Sequence, residues 1–361
     1  MASEPQPPIE APRHSRQAVL PGVGAAGQAR LAGARAVVVG VGALGTVSAG
    51  LLVRAGVGTV VLIDRDVVER SNLQRQALFT DADAEAAVPK SVAAAAHLRA
   101  IDPAVEVVAH VADATPGNVV ALVGGAAGAD VLVDGLDNFS TRYLLNDLAV
   151  REGVPYVYGG ALAFGGMVWP ILPRSADGAS HPWERVGLAG QDLVDAFPEA
   201  PDAASQPTCE TAGVWGPLTH VVGSLQASAA LKILLGEWRA VDTRLTQLDL
   251  WGNTMRQTAM PAATARRDVY PYLDGPADSG IKLCGSGAVQ VPSRGVLDPA
   301  VLASRWRAAG GVAVTHVNAH VVQAAVPGGQ ALTAFADGRV VVKGTTDATV
   351  ARSVVDRWVG G

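Results

Sequence analysis

Gly40-Val41-Gly42-Ala43-Leu44-Gly45 carries the most legible chemistry in the chain. A GxGxxG turn lets the backbone approach phosphate groups, and a helix starting there points its first N–H groups at the anion. Asp64 lies 24 residues after Gly40, where a carboxylate can accept hydrogen bonds from ribose hydroxyls. Gly40, Gly42, Gly45 and Asp64 therefore point to a nucleotide, with NAD the usual ligand of such a turn. The alternative is a tight strand–helix turn with no ligand. A second reactive group is Cys209, which precedes an apolar, helix-like stretch. A thiol near a helix N-terminus has a lowered pKa and more thiolate character, although a free Cys is also often a small buried residue.

The elements that must position these groups follow from the hydrophobic pattern. Residues 36–39 and 59–63 are short, continuous β-branched runs that end at Gly40 and Asp64, the mark of strands buried on both faces. Helix-compatible spacing over 43–55 between them makes a βαβ unit. Helices are then expected over 91–100, 118–126 and 141–152, strands over 105–111, 131–133 and 155–158, and further strands within 160–172. This alternation predicts an α/β fold with a doubly wound, Rossmann-like, mostly parallel sheet. Residues 174–208 have little periodicity and are expected to form a long loop, followed by a buried helix over 214–235. Four segments result: a mobile arm at 1–12, a main domain at 13–258, a Pro/Gly-punctuated linker at 259–285, and a small α+β domain at 286–361. The last is expected to hold a strand at 288–291, a helix at 298–309, three or four strands within 312–342, and a helix at 346–358.

Composition narrows the function. With 49% hydrophobic and 17% charged residues among 361, the chain can bury a large core and is not globally disordered. A formal charge of −5 argues against nucleic-acid binding, which favours a basic excess. The apolar runs are interrupted before about 18 residues, so no membrane span is expected. The N-terminus lacks the apolar core of a secretory signal. Two cysteines, Cys209 and Cys284, make no disulfide framework. A cytoplasmic protein is expected.

Longer motifs make the nucleotide more specific. Asp64-Arg65-Asp66-Val67 runs on to Ser71-Asn72-Leu73-Gln74-Arg75-Gln76, and Asp134-Gly135-Leu136-Asp137-Asn138-Phe139-Ser140-Thr141-Arg142 follows, with Asn146 in register. Arg13-His14-Ser15-Arg16-Gln17 precedes them, and Pro207-Thr208-Cys209-Glu210-Thr211 comes later. In this order the motifs resemble the ThiF/MoeB family, relatives of ubiquitin-activating enzymes, over residues 13–258. The resemblance implies ATP-dependent adenylation of the C-terminal Gly-Gly carboxylate of a small ubiquitin-like sulfur carrier (ThiS- or MoaD-like), with release of pyrophosphate. It implies that residues 13–258 form the ATP-binding domain, that Asp64 holds the ribose, and that Gly40, Gly42 and Gly45 let the backbone approach the phosphates. It places Asn72, Arg75, Gln76 and Lys90 on the triphosphate and Asp137 on Mg²⁺, a cation that favours oxygen ligands. It sends Arg16 across a homodimer to the partner's ATP, and gives Cys209 a covalent link to the carrier or a role in handling sulfur.

Each residue also has a plainer reading. Arg75 and Lys90 could be surface charges, Arg16 could pair with a surface acid, and Asp137 could cap the helix that follows. Other functions remain in view: adenylation in a specialised peptide pathway, a non-catalytic partner subunit, or an NAD-dependent oxidoreductase. The last leaves the Ser71–Gln76 and Asp137–Arg142 motifs unexplained. Relatives with two CxxC pairs hold a closed structural zinc. Here Pro182 and Arg185 stand where the first pair would be, and Ile281-Lys282-Leu283-Cys284 keeps one thiol of the second, so no zinc site is expected.

Overall fold

The computed structural model describes residues 12–125, 128–174, 181–188, 190–198, 211–262, 268–275, 281–283, 287–292 and 295–360. Helices α1 (Ser15–Ala18) and α2 (Gly24–Gly33) lead into β1 (Arg35–Val39), α3 (Gly45–Arg54) and β2 (Thr59–Asp64). There follow α4 (Asp81–Glu85), α5 (Lys90–Ile101), β3 (Glu106–Val111), α6 (Val119–Leu122), β4 (Val131–Asp134) and α7 (Phe139–Glu152). The first sheet is completed by β5 (Tyr156–Leu162), β6 (Gly165–Ile171), β7 (Leu245–Asp249) and β8 (Thr254–Thr258), with α8 (Leu193–Ala196) and α9 (Gly216–Leu235) between β6 and β7.

This eight-stranded sheet has the order β3-β2-β1-β4-β5-β6-β7-β8. The strands β3, β2, β1, β4 and β5 pair in parallel, and β6 to β8 continue antiparallel. The apolar runs explain the layering. Ala36 and Val38 of β1, with Val60 and Leu62 of β2, pack into the core on one face. Val37, Val39, Val61 and Ile63 pack into a separate core on the other. Every residue of these runs is wanted by one core or the other, so the strands do not alternate with polar residues.

α9 is long and apolar enough, by length and composition, to cross a membrane, a feature that the interrupted apolar runs concealed. It packs against α2, α3, β4, β5 and β6, and Leu218, Val222 and Ala230 lie wholly inside the core. It is the central helix of the domain.

The second sheet combines β9 (Ile281–Leu283), β10 (Ala288–Pro292), β11 (Ala313–Val317), β12 (Val321–Ala325), β13 (Ala331–Phe335) and β14 (Arg339–Lys343). Its order is β11-β12-β13-β14-β10-β9, antiparallel throughout. It begins at Ile281, inside the stretch expected to be linker. α10 (Pro299–Ala309) and α11 (Ala348–Trp358) contribute to the core on one face, around the buried Trp306. The opposite face meets the first domain: Val321 and Phe335 pack with Val67, and Val111 and Val341 close over them.

Candidate active site

Ligands of open α/β sheets bind outside the carboxyl ends of the strands, where the strand order reverses. Here that point lies between β1 and β4. The strand ends approach so closely there that only glycine fits. Gly40 has φ +85°, and a Cβ on it would lie 2.6 Å from the Gly135 carbonyl. A Cβ on Gly45 would lie 1.9 Å from the Gly40 oxygen. Gly45 does not line the cleft; it lets α3 sit against β1.

The cleft at this point has a volume of about 360 Å³. It brings together Gly40, Gly42, Asp64, Arg75, Gln76, Lys90 and Asp137, which sequence reasoning nominated from separate motifs. Three nominated residues lie elsewhere. Gly45 packs as described. The Asn72 side chain accepts the Glu69 N–H at 3.3 Å and closes a short turn. Arg16 is exposed on α1. Cys209 and Cys284 lie outside the described residues.

Asp64 is committed on both oxygens. It accepts the Val41 N–H at 2.7 Å and the Asp66 N–H at 2.8 Å, so it shapes the glycine turn as well as facing the cleft. Burial pushes its carboxyl above the ordinary range; Lys90 and these two N–H groups oppose that, while Asp66 adds to it. Lys90 heads α5 and donates to Asp66 at 3.0 Å. Burial would favour the neutral amine, but Asp66 and Asp64 outweigh it and keep the ammonium charged. The Asp66 carboxylate is half exposed; partial desolvation would raise it, yet Lys90 and Arg65 hold it at about 2.

A group with a depressed folded pKa stabilises the protein above its unfolded pKa and loses that contribution as pH falls through the folded one. The Asp66 contribution should therefore fade from the ordinary value of 3.8 down to about 2. In a carboxyl carbon NMR titration, Asp66 should have its midpoint near 2, and Lys90→Met should move it upward. An ordinary midpoint in the wild type would remove the pair from this account.

Asp137 and Asn138 divide the work at the start of α7. Asn138 is the cap, accepting the Thr141 N–H at 3.0 Å. Asp137 is thus free of the capping role, and its exposed carboxylate has no hydrogen bond or ion pair among the described residues. Its charge is felt by Arg65, Lys90 and Arg142. Arg75 donates to the Ser71 carbonyl at 2.9 Å and has no acidic partner among the described residues. The Gln76 side-chain oxygen is buried without a partner. An unpaired cation, an unpaired carboxylate and an orphaned amide oxygen in one cleft suit a polyanion that carries hydroxyls and a metal ion.

Sequence reasoning did not nominate Arg142, which lines the same cleft. Its guanidinium donates to Asp134 at 3.0 Å and to the Leu136 and Gly159 carbonyls at 2.7 Å each. Tyr156 adds a hydroxyl to Asp134 at 2.9 Å, and Tyr158 lies 5.0 Å beneath the guanidinium. This network fixes the turn that presents Asp137. Arg65 and Asp113 were missed as well; they pair at 3.2 Å on the cleft wall. Arg65 and Arg142 stood inside the quoted motifs, whereas nothing in the sequence marked Asp113.

Residues 14–269 match the ThiF family. The chain belongs to the ThiF family. It is 36% identical to a sulfur carrier protein ThiS adenylyltransferase of Bacillus subtilis, covering 96% of this chain and 99% of that one. It is 40% identical to a SAMP-activating enzyme E1 of Haloferax volcanii, covering 77% and 90% respectively. Among solved structures, MccB of E. coli with SeMet MccA shares the fold at a TM-score of 0.55 and 20% identity, covering 70% of this chain and 72% of that one. This member of the ThiF family is an adenylyltransferase. Among its described residues no three His, Cys, Asp or Glu side chains are grouped to hold a metal ion. Around the first expected CxxC position, Trp183 is buried, with His181 stacked at 4.2 Å and Trp238 at 5.1 Å.

Proposed function

We propose that this chain adenylates the C-terminal Gly-Gly carboxylate of a small ubiquitin-like sulfur carrier protein, using ATP and releasing pyrophosphate. The observation that carries this reading is the convergence of Arg75, Lys90 and Asp137 with the Gly40–Gly42 turn in one cleft. The names of the B. subtilis and H. volcanii relatives support a carrier as the acyl substrate.

In this reaction the carrier carboxylate attacks the α-phosphorus, and the bond from that phosphorus to the departing pyrophosphate breaks. No side chain need act as nucleophile. The protein must gather anions and stabilise charge on phosphate oxygens. Gly40 and Gly42 admit the phosphates. Asp64, held by the Val41 and Asp66 N–H groups, retains lone pairs for ribose hydroxyls. Arg75 supplies the unpaired positive charge, Lys90 a charge poised by Asp66, and Gln76 its free oxygen. Asp137 would hold Mg²⁺, which when bound neutralises phosphate charge. Arg16 completes the site of the second subunit in a homodimer, and Cys209 handles the carrier or its sulfur. The setting is cytoplasmic, without nucleic acid or membrane.

ATP–pyrophosphate exchange tests this directly. Exchange should depend on a carrier ending in Gly-Gly and vanish when the last glycine is removed. ATP binding with no carrier-dependent exchange would redirect the reading to a different acyl substrate.

A further inference from the structure

The second domain fastens onto segments of the first that form the cleft. Gln290 of β10 donates to Asp113 at 3.1 Å, opposite Arg65 on the same carboxylate. Arg339 of β14 donates to the Arg65 carbonyl at 3.2 Å and to the Val111 carbonyl at 3.4 Å. The Arg339 guanidinium is itself aimed by Asp337 at 2.6 Å and by the Phe335 ring at 4.3 Å. Lys343 pairs with Glu69, beyond the acidic loop. Asn318 donates to the Ala86 and Ala87 carbonyls at 3.1 and 3.2 Å, in the turn that leads to Lys90.

These contacts are selective. Arg65, Asp66, Lys90 and Asp113 all line the cleft, and each lies on or next to a segment held from the second domain. Gln290 and Asp113 are both buried, with 8% and 7% exposure, so their hydrogen bond is not diluted by water. Arg65 follows directly after Asp64, and a shift of the Arg65 carbonyl would be passed to the ribose-facing carboxylate.

We propose that Gln290 and Arg339 are positioning residues for the nucleotide: the second domain acts as a clamp that sets the Asp64–Asp66 loop and the Arg65–Asp113 pair in the geometry that binds ATP. This rests on the adenylation reading. Neither side chain needs to touch the reacting atoms, so the clamp governs nucleotide affinity more than the chemical step.

The test uses the full chain, with ATP affinity measured by calorimetry and exchange kinetics measured with saturating carrier. Gln290→Leu removes the donor to Asp113 together with a buried, unpartnered oxygen, which favours a folded variant. Gln290→Leu and Arg339→Met should each weaken ATP binding about tenfold and raise the ATP KM alike, with kcat within about threefold of wild type. Arg339→Lys, which keeps a charged donor, should recover most of that loss. Unchanged ATP affinity in Gln290→Leu and Arg339→Met overturns the clamp. So does a kcat loss at unchanged KM. A wild-type protein that binds no ATP overturns the adenylation reading first and the clamp with it.

Discussion

Arg142→Met should destabilise the protein by about 3–5 kcal/mol, the range for breaking a buried ion pair from one side. The loss has identifiable parts. Asp134 has no solvent exposure, and burial already pushes its carboxyl up against the pull of Arg142. Without the guanidinium it keeps the Tyr156 hydroxyl and the Leu136 N–H but no counter-charge. The Leu136 and Gly159 carbonyls lose the donors that reach them at 2.7 Å. Methionine roughly fills the space, so a cavity is not the main cost. In thermal unfolding the midpoint should fall by roughly 10 °C. Arg142→Met combined with Asp134→Asn should cost clearly less than the sum of the single changes, because the stranded charge is gone. A drop of only a degree or two would mean that water reaches Asp134.

The parts legible in the sequence are those decided locally. β1, β2 and β4 are continuous apolar runs because both faces of the sheet are covered, and their ends mark Gly40, Asp64 and Asp134. The helix expected over 118–126 ends at Leu122, since Gly124 and Gly125 both take positive φ, at 105° and 63°. α2 escaped notice because Gly27 and Leu31 are its only buried residues. Its small Gly27 leaves room for α9, whose Leu235 methyl would lie 2.8 Å from a Cβ there and would have to shift. β8 is exposed along its whole length and shows no apolar face.

The site divides in the same way. The family resemblance nominated Arg75, Lys90 and Asp137, and the fold gathers them. It could not reveal that Lys90 is spoken for by Asp66, that Asn138 rather than Asp137 caps α7, or that Gly45 serves helix packing. The cap is a local choice between two residue types that both suit it, whereas the Lys90 pairing depends on which distant segments meet. Asp113 is the clearest case: its partners Arg65 and Gln290 come from β2's exit and from a different domain, so no local pattern could mark it.

Asp137→Asn should lower kcat for carrier-dependent exchange by about 10²–10³-fold, the scale of removing one strong electrostatic contact in a transition state. The substitution keeps the shape and removes the charge. Because Asp137 is exposed and Asn138 makes the cap, the start of α7 should be undisturbed, and the unfolding midpoint should stay within about 1 °C of wild type. Asn138→Ala is the matching contrast. It removes the hydrogen bond to the Thr141 N–H and should cost about 1 kcal/mol of stability, while leaving the carboxylate in place and most of kcat intact. Magnesium dependence separates loss of a metal ligand from loss of a mere charge. ATP affinity measured by calorimetry should improve markedly with Mg²⁺ in the wild type and much less in Asp137→Asn. If both proteins gain equally from Mg²⁺ while kcat still falls, Asp137 acts on the phosphates' surroundings and not through the ion. If Asn138→Ala loses as much kcat as Asp137→Asn, the turn's shape, and not the Asp137 carboxylate, is what the reaction requires.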